Sequence, residues 1–139
     1  MKKHLFAFAF LTCGLGSAFA ACSGTYLTQS ALNTLIAGQT ACSPPACSGV
    51  AGTCEWQETH QGSLTGPLAE QHTGKPGDPV EIVGTWIIDS SGRITHAYSG
   101  GGGNNTYDVN NNGDGTYSFC NGPGASPAGI PFSVKSGRC

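Results

Sequence analysis

Basic residues are scarce in this sequence. Its 139 residues include six lysines and arginines against eight aspartates and glutamates. Two of the six, Lys2 and Lys3, lie in an N-terminal segment that we expect to be removed, which leaves a mature net charge of −4. A chain with so little positive charge is poorly suited to bind nucleic acid or an anionic membrane surface. We therefore expect neither as a partner.

The sequence also lacks the short motifs that carry common chemistry. It contains no Cys-x-x-Cys pair, no nucleophile elbow, no phosphate-binding loop and no helix with metal-ligand spacing. These absences remove the usual signals for metal-dependent, nucleotide-dependent and serine-nucleophile enzymes. We predict no cofactor and assign no catalytic residue, so the sequence leans away from an enzyme without excluding one.

Long apolar runs are confined to the N-terminus. Leu5 to Leu15 follows the two lysines, is short for a bilayer span and precedes the small-x-small site Ala18-Phe19-Ala20. This order is typical of a cleavable signal peptide. We predict a signal peptide at residues 1–20, a single mature domain at 21–139, no transmembrane segment, and a secreted or periplasmic location.

The cysteines indicate disulfides. Seven are present, and loss of Cys13 with the signal peptide leaves six, an even number that is typical of an exported disulfide framework. Acylation of Cys22 as a lipid anchor is an alternative, but it would leave one cysteine unpaired. We predict the pairs Cys22–Cys42, Cys47–Cys54 and Cys120–Cys139, with Cys42–Cys139 as the main rival pairing.

One short helix is predicted over about 28–37. Thr28 or Ser30 is placed to cap its start, and Gly38 stands where a glycine ends many helices. Residues 43–53 and 66–79 are rich in glycine and proline and are predicted as loops. The apolar residues that recur at helical spacing are Leu27, Ala31, Leu32, Leu35 and Ile36.

From about residue 54 to residue 139 the apolar period changes to two, which predicts an antiparallel meander. A turn at Ser90-Ser91-Gly92 would form its central hairpin. The preferred register gathers the apolar side chains and places a residue without a side chain opposite a large ring. It sets Asp89 opposite Arg93, Ile88 opposite Ile94, Trp86 opposite His96 and Gly84 opposite Tyr98.

Two further hairpins and a closing strand are predicted. A turn at Asn112-Gly113-Asp114 would set Val109 opposite Tyr117 and Tyr107 opposite Phe119, and a turn at Gln61-Gly62-Ser63 would set Trp56 opposite Leu68. Pro131 to Val134 is the candidate closing strand. Six or seven strands with one apolar face must curl over or close, so we predict a mainly β fold: a small barrel or strongly bent sheet behind one short helix, held by disulfides.

Six side chains form a candidate ligand site if the strand faces meet inside a barrel. They would combine apolar walls with a few polar groups, as small-molecule sites do, and a Glu58–His60 or Glu58–His96 pair could serve as acid and base. The competing interpretation puts Trp86 and Tyr98 in the core while Glu58 and His60 face water. The six are Trp56, Glu58, His60, Trp86, His96 and Tyr98.

A calcium loop is an alternative interpretation of the segment that begins at Asp108. Asp108, Asn110, Asn112 and Asp114 carry oxygen ligands at alternating positions, and Gly113 stands at the sixth position of the loop. The position that should hold a bidentate glutamate is Phe119, however, and Asn-Gly beside Asp-Gly is also a strong hairpin signal. We therefore favour a turn.

The Gly84-Thr85-Trp86 sequence inside an antiparallel meander resembles the glycine-x-tryptophan motif of lipocalin-like (calycin) barrels. The layout is also similar to small exported bacterial proteins with a short helix and a lipocalin-like sheet. The lipocalin motif opens the first strand, whereas here it lies in mid-chain. The resemblance implies a barrel that binds small hydrophobic ligands.

Three function classes follow from these expectations. The first is an exported binding or interaction protein without catalytic activity, which holds a small apolar or aromatic ligand or contacts a protein. The second is a small hydrolase-like enzyme that uses Glu58, His60 or His96. The third is a structural subunit of a surface assembly, which an unpaired edge strand would support. The sequence does not indicate an oligomeric state.

Overall fold

We describe the fold from a computed structural model of the chain. The structure describes residue 22 and residues 25–48, 53–71 and 80–139. The predicted signal peptide and its cleavage site lie outside the described residues. Within them, no helix is both long enough and apolar enough to span a bilayer.

Eight antiparallel strands form a closed barrel in which each strand pairs with its neighbours in chain order and the last pairs with the first. The predicted mainly β fold is therefore confirmed. Because every described strand has two partners, none of them offers the free edge expected of an assembly subunit. The strands are β1 (Thr40–Ser43), β2 (Trp56–His60), β3 (Thr65–Gln71), β4 (Val80–Ile88), β5 (Ile94–Tyr98), β6 (Gly103–Asn111), β7 (Tyr117–Cys120) and β8 (Ile130–Lys135).

The predicted helix is confirmed as α1 (Gln29–Ile36) and covers one end of the barrel. Thr28 caps it, since its Oγ1 accepts a hydrogen bond from the Ala31 N–H at 3.3 Å. Leu32 and Ile36 are fully buried against the strands. The Gln29 side chain donates to the Ile88 carbonyl at 3.1 Å, which fixes the helix over the β4–β5 turn.

Strand β1 was not predicted, whereas the closing strand β8 was. All four residues of β1 are buried, so the strand shows no alternation of polar and apolar positions. β1 pairs with β2 on one side and with β8 on the other, where Ala41 lies opposite Val134. The pairing of β1 with β8 therefore closes the barrel.

The central hairpin has the predicted register. Trp86 lies opposite His96, Ile88 opposite Ile94, and Gly84 opposite Tyr98. A Cβ atom on Gly84 would lie 2.1 Å from the Ala97 carbonyl oxygen, so only glycine fits there. At the turn, the Asp89 carboxylate accepts hydrogen bonds from the Ser91 and Arg93 backbone N–H groups.

The other two hairpin registers were predicted wrongly. Leu68 lies opposite His60 rather than Trp56, and Phe119 lies opposite Val109 rather than Tyr107. The β2–β3 connection is longer than the turn signal indicated, since His60 pairs with Leu68. The β6–β7 turn is displaced by one residue, since the Asn112 N–H donates to the Thr116 carbonyl across residues 113–115. Each register is displaced by an even number of positions, so the same side chains face inward.

Part of the predicted loop at residues 66–79 is strand, because β3 runs through Gly66 and Pro67. Proline is compatible with this strand because the Pro67 carbonyl faces β2, accepting from the Gln61 N–H at 3.0 Å. The Pro67 nitrogen, which carries no hydrogen, also faces β2. The proline therefore removes no hydrogen bond between β3 and β4. A bulge between Leu68 and Ala69 shifts the pairing with β4.

Of the predicted disulfides, Cys47–Cys54 is confirmed, whereas Cys22–Cys42 and Cys120–Cys139 are wrong. The structure joins Cys22 to Cys120 and Cys42 to Cys139, the latter being the rival pairing. Residues 25–28 lie beside β6, where the Leu27 N–H donates to the Val109 carbonyl, and Cys22 lies at the end of β7, where it is bonded to Cys120. Pairing of β1 with β8 brings Cys42 to the C-terminus. Three disulfides are typical of a protein that folds in an oxidising compartment.

Candidate functional site

All six predicted ligand-site side chains lie inside the barrel. The alternation of β2 points Trp56, Glu58 and His60 inward, while β4 and β5 contribute Trp86, His96 and Tyr98. Glu58 is 7% exposed and His60 is completely buried, so the interpretation that these two face water is wrong.

The barrel end next to α1 is filled by Trp86 and His60. The Trp86 indole N–H donates to the Gln61 carbonyl at 2.8 Å, and its ring meets the His60 ring edge-on with centroids 5.3 Å apart. The Gly38 N–H donates to the His60 carbonyl, which ties this strand end to the helix. Trp86 and His60 therefore lie on the α1 side of the site and do not line the cavity at the other end of the barrel.

A hydrogen bond between two histidines crosses the interior. The Nε2 atoms of His60 and His96 are 3.0 Å apart, so one ring donates and the other accepts. Burial lowers the pKa of His96 to about 4, and burial together with the neighbouring His96 lowers the pKa of His60 well below its usual value. Both rings are consequently neutral at pH 7.

Glu58 is the central polar group of the site. The Tyr98 hydroxyl donates to its Oε1 at 2.6 Å, and its Oε2 lies 3.8 Å from Nδ1 of His96. Burial raises the Glu58 pKa to about 7; the Tyr98 hydrogen bond acts against this and the nearby Glu70 carboxylate adds to it. Burial and the Glu58 charge together raise the pKa of Tyr98, which keeps that hydroxyl a donor.

A partly enclosed cavity of about 270 Å³ lies at the barrel end opposite α1, and Glu58, His96 and Tyr98 line it. Trp56 begins β2 and Tyr98 ends β5, so both stand at this end. Its walls are mostly aromatic, and its polar lining includes two glutamates, His96 and the Tyr98 hydroxyl, whereas the Tyr107 hydroxyl donates to the Pro123 carbonyl. The lining residues are Trp56, Glu58, Glu70, His96, Tyr98, Tyr107, Phe119 and Ile130.

Four of these lining residues were not among the predicted site residues. Tyr107 and Phe119 were assigned to one aromatic face, and that pattern would have placed them in the site had barrel closure been known. Glu70 was assigned to a loop, and Ile130 lay just before the predicted closing strand. Only the order of strands around the barrel brings these four residues to the same end as Glu58.

The four candidate calcium ligands are used in other ways. Asp108 lies 3.6 Å from Nε of Arg93 and accepts from the Asn121 side chain, whereas Asp114 accepts from the Thr116 hydroxyl and N–H. Asn110 donates to Asn112, whose amide nitrogen bonds Thr116 and Ser118. These contacts organise a turn, as favoured from the sequence.

The described residues offer few alternatives for metal or nucleophile chemistry. The sulfur atoms of Cys42, Cys47 and Cys139 lie within 4.8 Å of one another, but all three belong to disulfides and supply no thiolate. Among the described residues that line the cavity there is no serine, threonine, cysteine or lysine. What the site offers is a carboxyl group that titrates near neutral pH between aromatic walls.

The likeness to lipocalin-like barrels stays a prediction. Comparison of the chain with protein-family models, with curated proteins and with solved structures finds no significant match.

Proposed function

We propose that this chain is an exported binding protein, without catalytic activity, that holds a small ligand with an apolar or aromatic body in the barrel cavity. The observation that carries the proposal is the cavity itself. An eight-stranded barrel is wide enough either to fill its interior with side chains or to hold one small ligand. Here the end opposite α1 leaves about 270 Å³ open between the rings of Trp56, Tyr107 and Phe119 and the part-buried Glu58–Tyr98 pair.

The size of the cavity limits the ligand. Pockets for drug-sized molecules occupy roughly 300–1,000 Å³, and this cavity lies just below that range. A single substituted ring or a short branched chain matches it. The aromatic walls would contact the apolar body, while Glu58, His96 and Tyr98 would orient its polar group.

Export as a free protein is part of the proposal. The N-terminal pattern of a signal peptide and the three disulfides support it. The Cys22 sulfur is joined to Cys120, which leaves no thiol for a lipid. This favours a secreted or periplasmic protein over one anchored through Cys22.

Calorimetry with single-ring compounds of equal size but different charge tests the binding function. We would titrate the mature, disulfide-bonded protein with benzylamine, benzyl alcohol and benzoate. We expect at least one to bind at a single site, and we expect Ile130→Phe, which fills the cavity from β8, to abolish that binding while retaining the circular dichroism of the barrel. Failure of all three to bind, or equal binding by Ile130→Phe, would contradict the proposal.

A small acid–base enzyme is the second candidate, and one observation favours it. Glu58 has a pKa of about 7 and faces a cavity, which suits a general acid or base at neutral pH. With no nucleophilic side chain on the described walls, Glu58 would have to activate water. Hydrolysis of para-nitrophenyl acetate that is lost in Glu58→Gln would support this candidate, and equal background rates would count against it.

A further inference from the structure

The described lining of the cavity has an unbalanced charge. Glu58 on β2 and Glu70 on β3 lie opposite each other in the sheet, and both line the cavity. Among the described residues that line it there is no lysine or arginine. Arg93 instead lies beside Asp108, and the Lys135 ammonium donates to the Cys47 and Cys139 carbonyls.

Glu58 has an oxygen atom available to a ligand. Its side chain is 9% exposed, and Oε1 already accepts the Tyr98 hydroxyl. Its other oxygen, Oε2, lies 3.8 Å from His96 Nδ1, which is beyond hydrogen-bond distance. A buried carboxylate without a cationic partner is costly, and a positive ligand group would relieve that cost.

The walls of the cavity suit a cation as well. Trp56, Tyr98, Tyr107 and Phe119 present aromatic rings around the same space. Aromatic rings attract positive charge through their electron-rich faces, and the attraction is stronger where water is excluded. A carboxylate beside aromatic rings is therefore a combination that selects organic cations over neutral or anionic molecules of equal size.

We propose that the barrel cavity binds a small protonated amine on a single-ring or short apolar body, with Glu58 Oε2 accepting its N–H and the aromatic rings surrounding it. This inference rests on the proposed binding function and specifies its ligand class. Glu70 would add negative charge at the cavity without touching the ammonium directly. The mature net charge of −4 would also favour the approach of a cation.

The same three probes decide the charge of the ligand by isothermal calorimetry. Benzylamine, benzyl alcohol and benzoate are close in size and differ in charge at neutral pH. We expect benzylamine to bind at least about tenfold more tightly than benzyl alcohol, because a charge-assisted hydrogen bond outweighs a neutral one. Benzoate should bind most weakly, since it would face two carboxylates.

Variants test the role of Glu58. Glu58→Gln preserves the shape and should lose the tenfold preference for benzylamine, with both neutral and cationic probes binding about equally. Glu55→Gln removes one charge from an exposed position outside the cavity and should keep the preference. Glu70→Gln, also in the cavity, should reduce it by a few fold, and this variant serves if Glu58→Gln fails to fold.

The affinity for benzylamine should rise between pH 5.5 and pH 8, because only ionised Glu58 attracts the ammonium, and the rise should vanish in Glu58→Gln. The probe itself keeps its charge over this range. The titratable groups that face Glu58 are His60 on its own strand, Glu70 on β3, His96 and Tyr98 on β5, and Tyr107 on β6.

The outcomes separate the two proposals. Benzyl alcohol or benzoate binding as tightly as benzylamine would overturn the amine inference and leave the binding function standing. The absence of binding by every probe would overturn both. A benzylamine preference that persists in Glu58→Gln would overturn the assignment of Glu58 as the counter-charge.

Discussion

The Nε2 atoms of His60 and His96 lie 3.0 Å apart although their strands, β2 and β5, are separated by β3 and β4 in the barrel wall. The bond therefore crosses the interior rather than following the sheet. It ties the two sides of the barrel together between the Trp86 layer and the cavity. It also holds His96 with its Nδ1 toward Glu58.

The histidine pair should make the protein sensitive to acid. In the folded barrel both rings have lowered pKa values, to about 4 for His96, whereas in the unfolded chain they take up protons below about pH 6.5. The unfolded state then binds more protons, so the free energy of unfolding falls as pH drops from 6.5 toward 4. Urea unfolding of His60→Gln should give a slope against pH that is smaller than the wild-type slope by about 1.4 kcal/mol per pH unit between pH 5 and 6. Equal slopes would contradict neutral burial of His60.

Glu58 should act on stability in the opposite direction. Its pKa is raised from 4.5 to about 7, so the folded state holds a proton that the unfolded state has lost. Its contribution to stability is present below pH 4.5 and is lost as pH rises to 7. The stability of Glu58→Gln relative to wild type should therefore increase by about 3 kcal/mol over that range. Glu55→Gln is the matched exposed control and should show no comparable increase.

The Tyr98 hydroxyl should set the ionisation of Glu58. Its hydrogen bond to Oε1 at 2.6 Å opposes the effect of burial on the pKa. Tyr98→Phe should therefore move the Glu58 titration midpoint upward from about 7. Carbon-13 NMR of the glutamate carboxyl groups would follow this midpoint. A midpoint that is unchanged or lower would show that the hydroxyl does not stabilise the ionised form.

Gly84 should tolerate no side chain. A Cβ atom at this position would clash with the Ala97 backbone across the β4–β5 pair and force the two strands apart. We expect Gly84→Ala to destabilise the barrel by about 3 kcal/mol, the upper part of the range for overpacked sites. Thr85→Ala, at the adjacent exposed position, should cost far less. Thermal or urea unfolding of the two variants decides the point, and a small effect of Gly84→Ala would refute the close approach.

Much of the fold could be predicted because its signals lie within short stretches of the sequence. The helix follows from Thr28 and its apolar spacing, and the central register follows from Gly84 opposite Tyr98 and Trp86 opposite His96. Two hairpin registers failed because the turn signals did not fix where pairing begins. The other failures depended on distant partners. The disulfide of Cys42 required knowing that β1 pairs with β8. β1 has no alternation because Ala41 faces the barrel core while the cysteine cluster buries Cys42.

The candidate site was predictable in part for the same reason. Alternation placed Trp56 with Glu58 and His96 with Tyr98, but their meeting depended on barrel closure. Glu70 was missed because glycine and proline at the start of β3 resemble a loop. Trp86 lies near α1, whereas Trp56 lies at the cavity end of the barrel. This difference depends on the stagger of the strands, which no local sequence pattern predicts.

The most direct test of the account uses the two tryptophans of the chain. Trp56 lines the cavity, whereas the Trp86 indole N–H is held by the Gln61 carbonyl behind it. In nitrogen-15 NMR spectra of the mature protein titrated with benzylamine, we predict a saturable shift of the Trp56 indole signal and little change at Trp86. No saturable shift at Trp56, or an equal shift at both indoles, would contradict ligand binding in the barrel cavity.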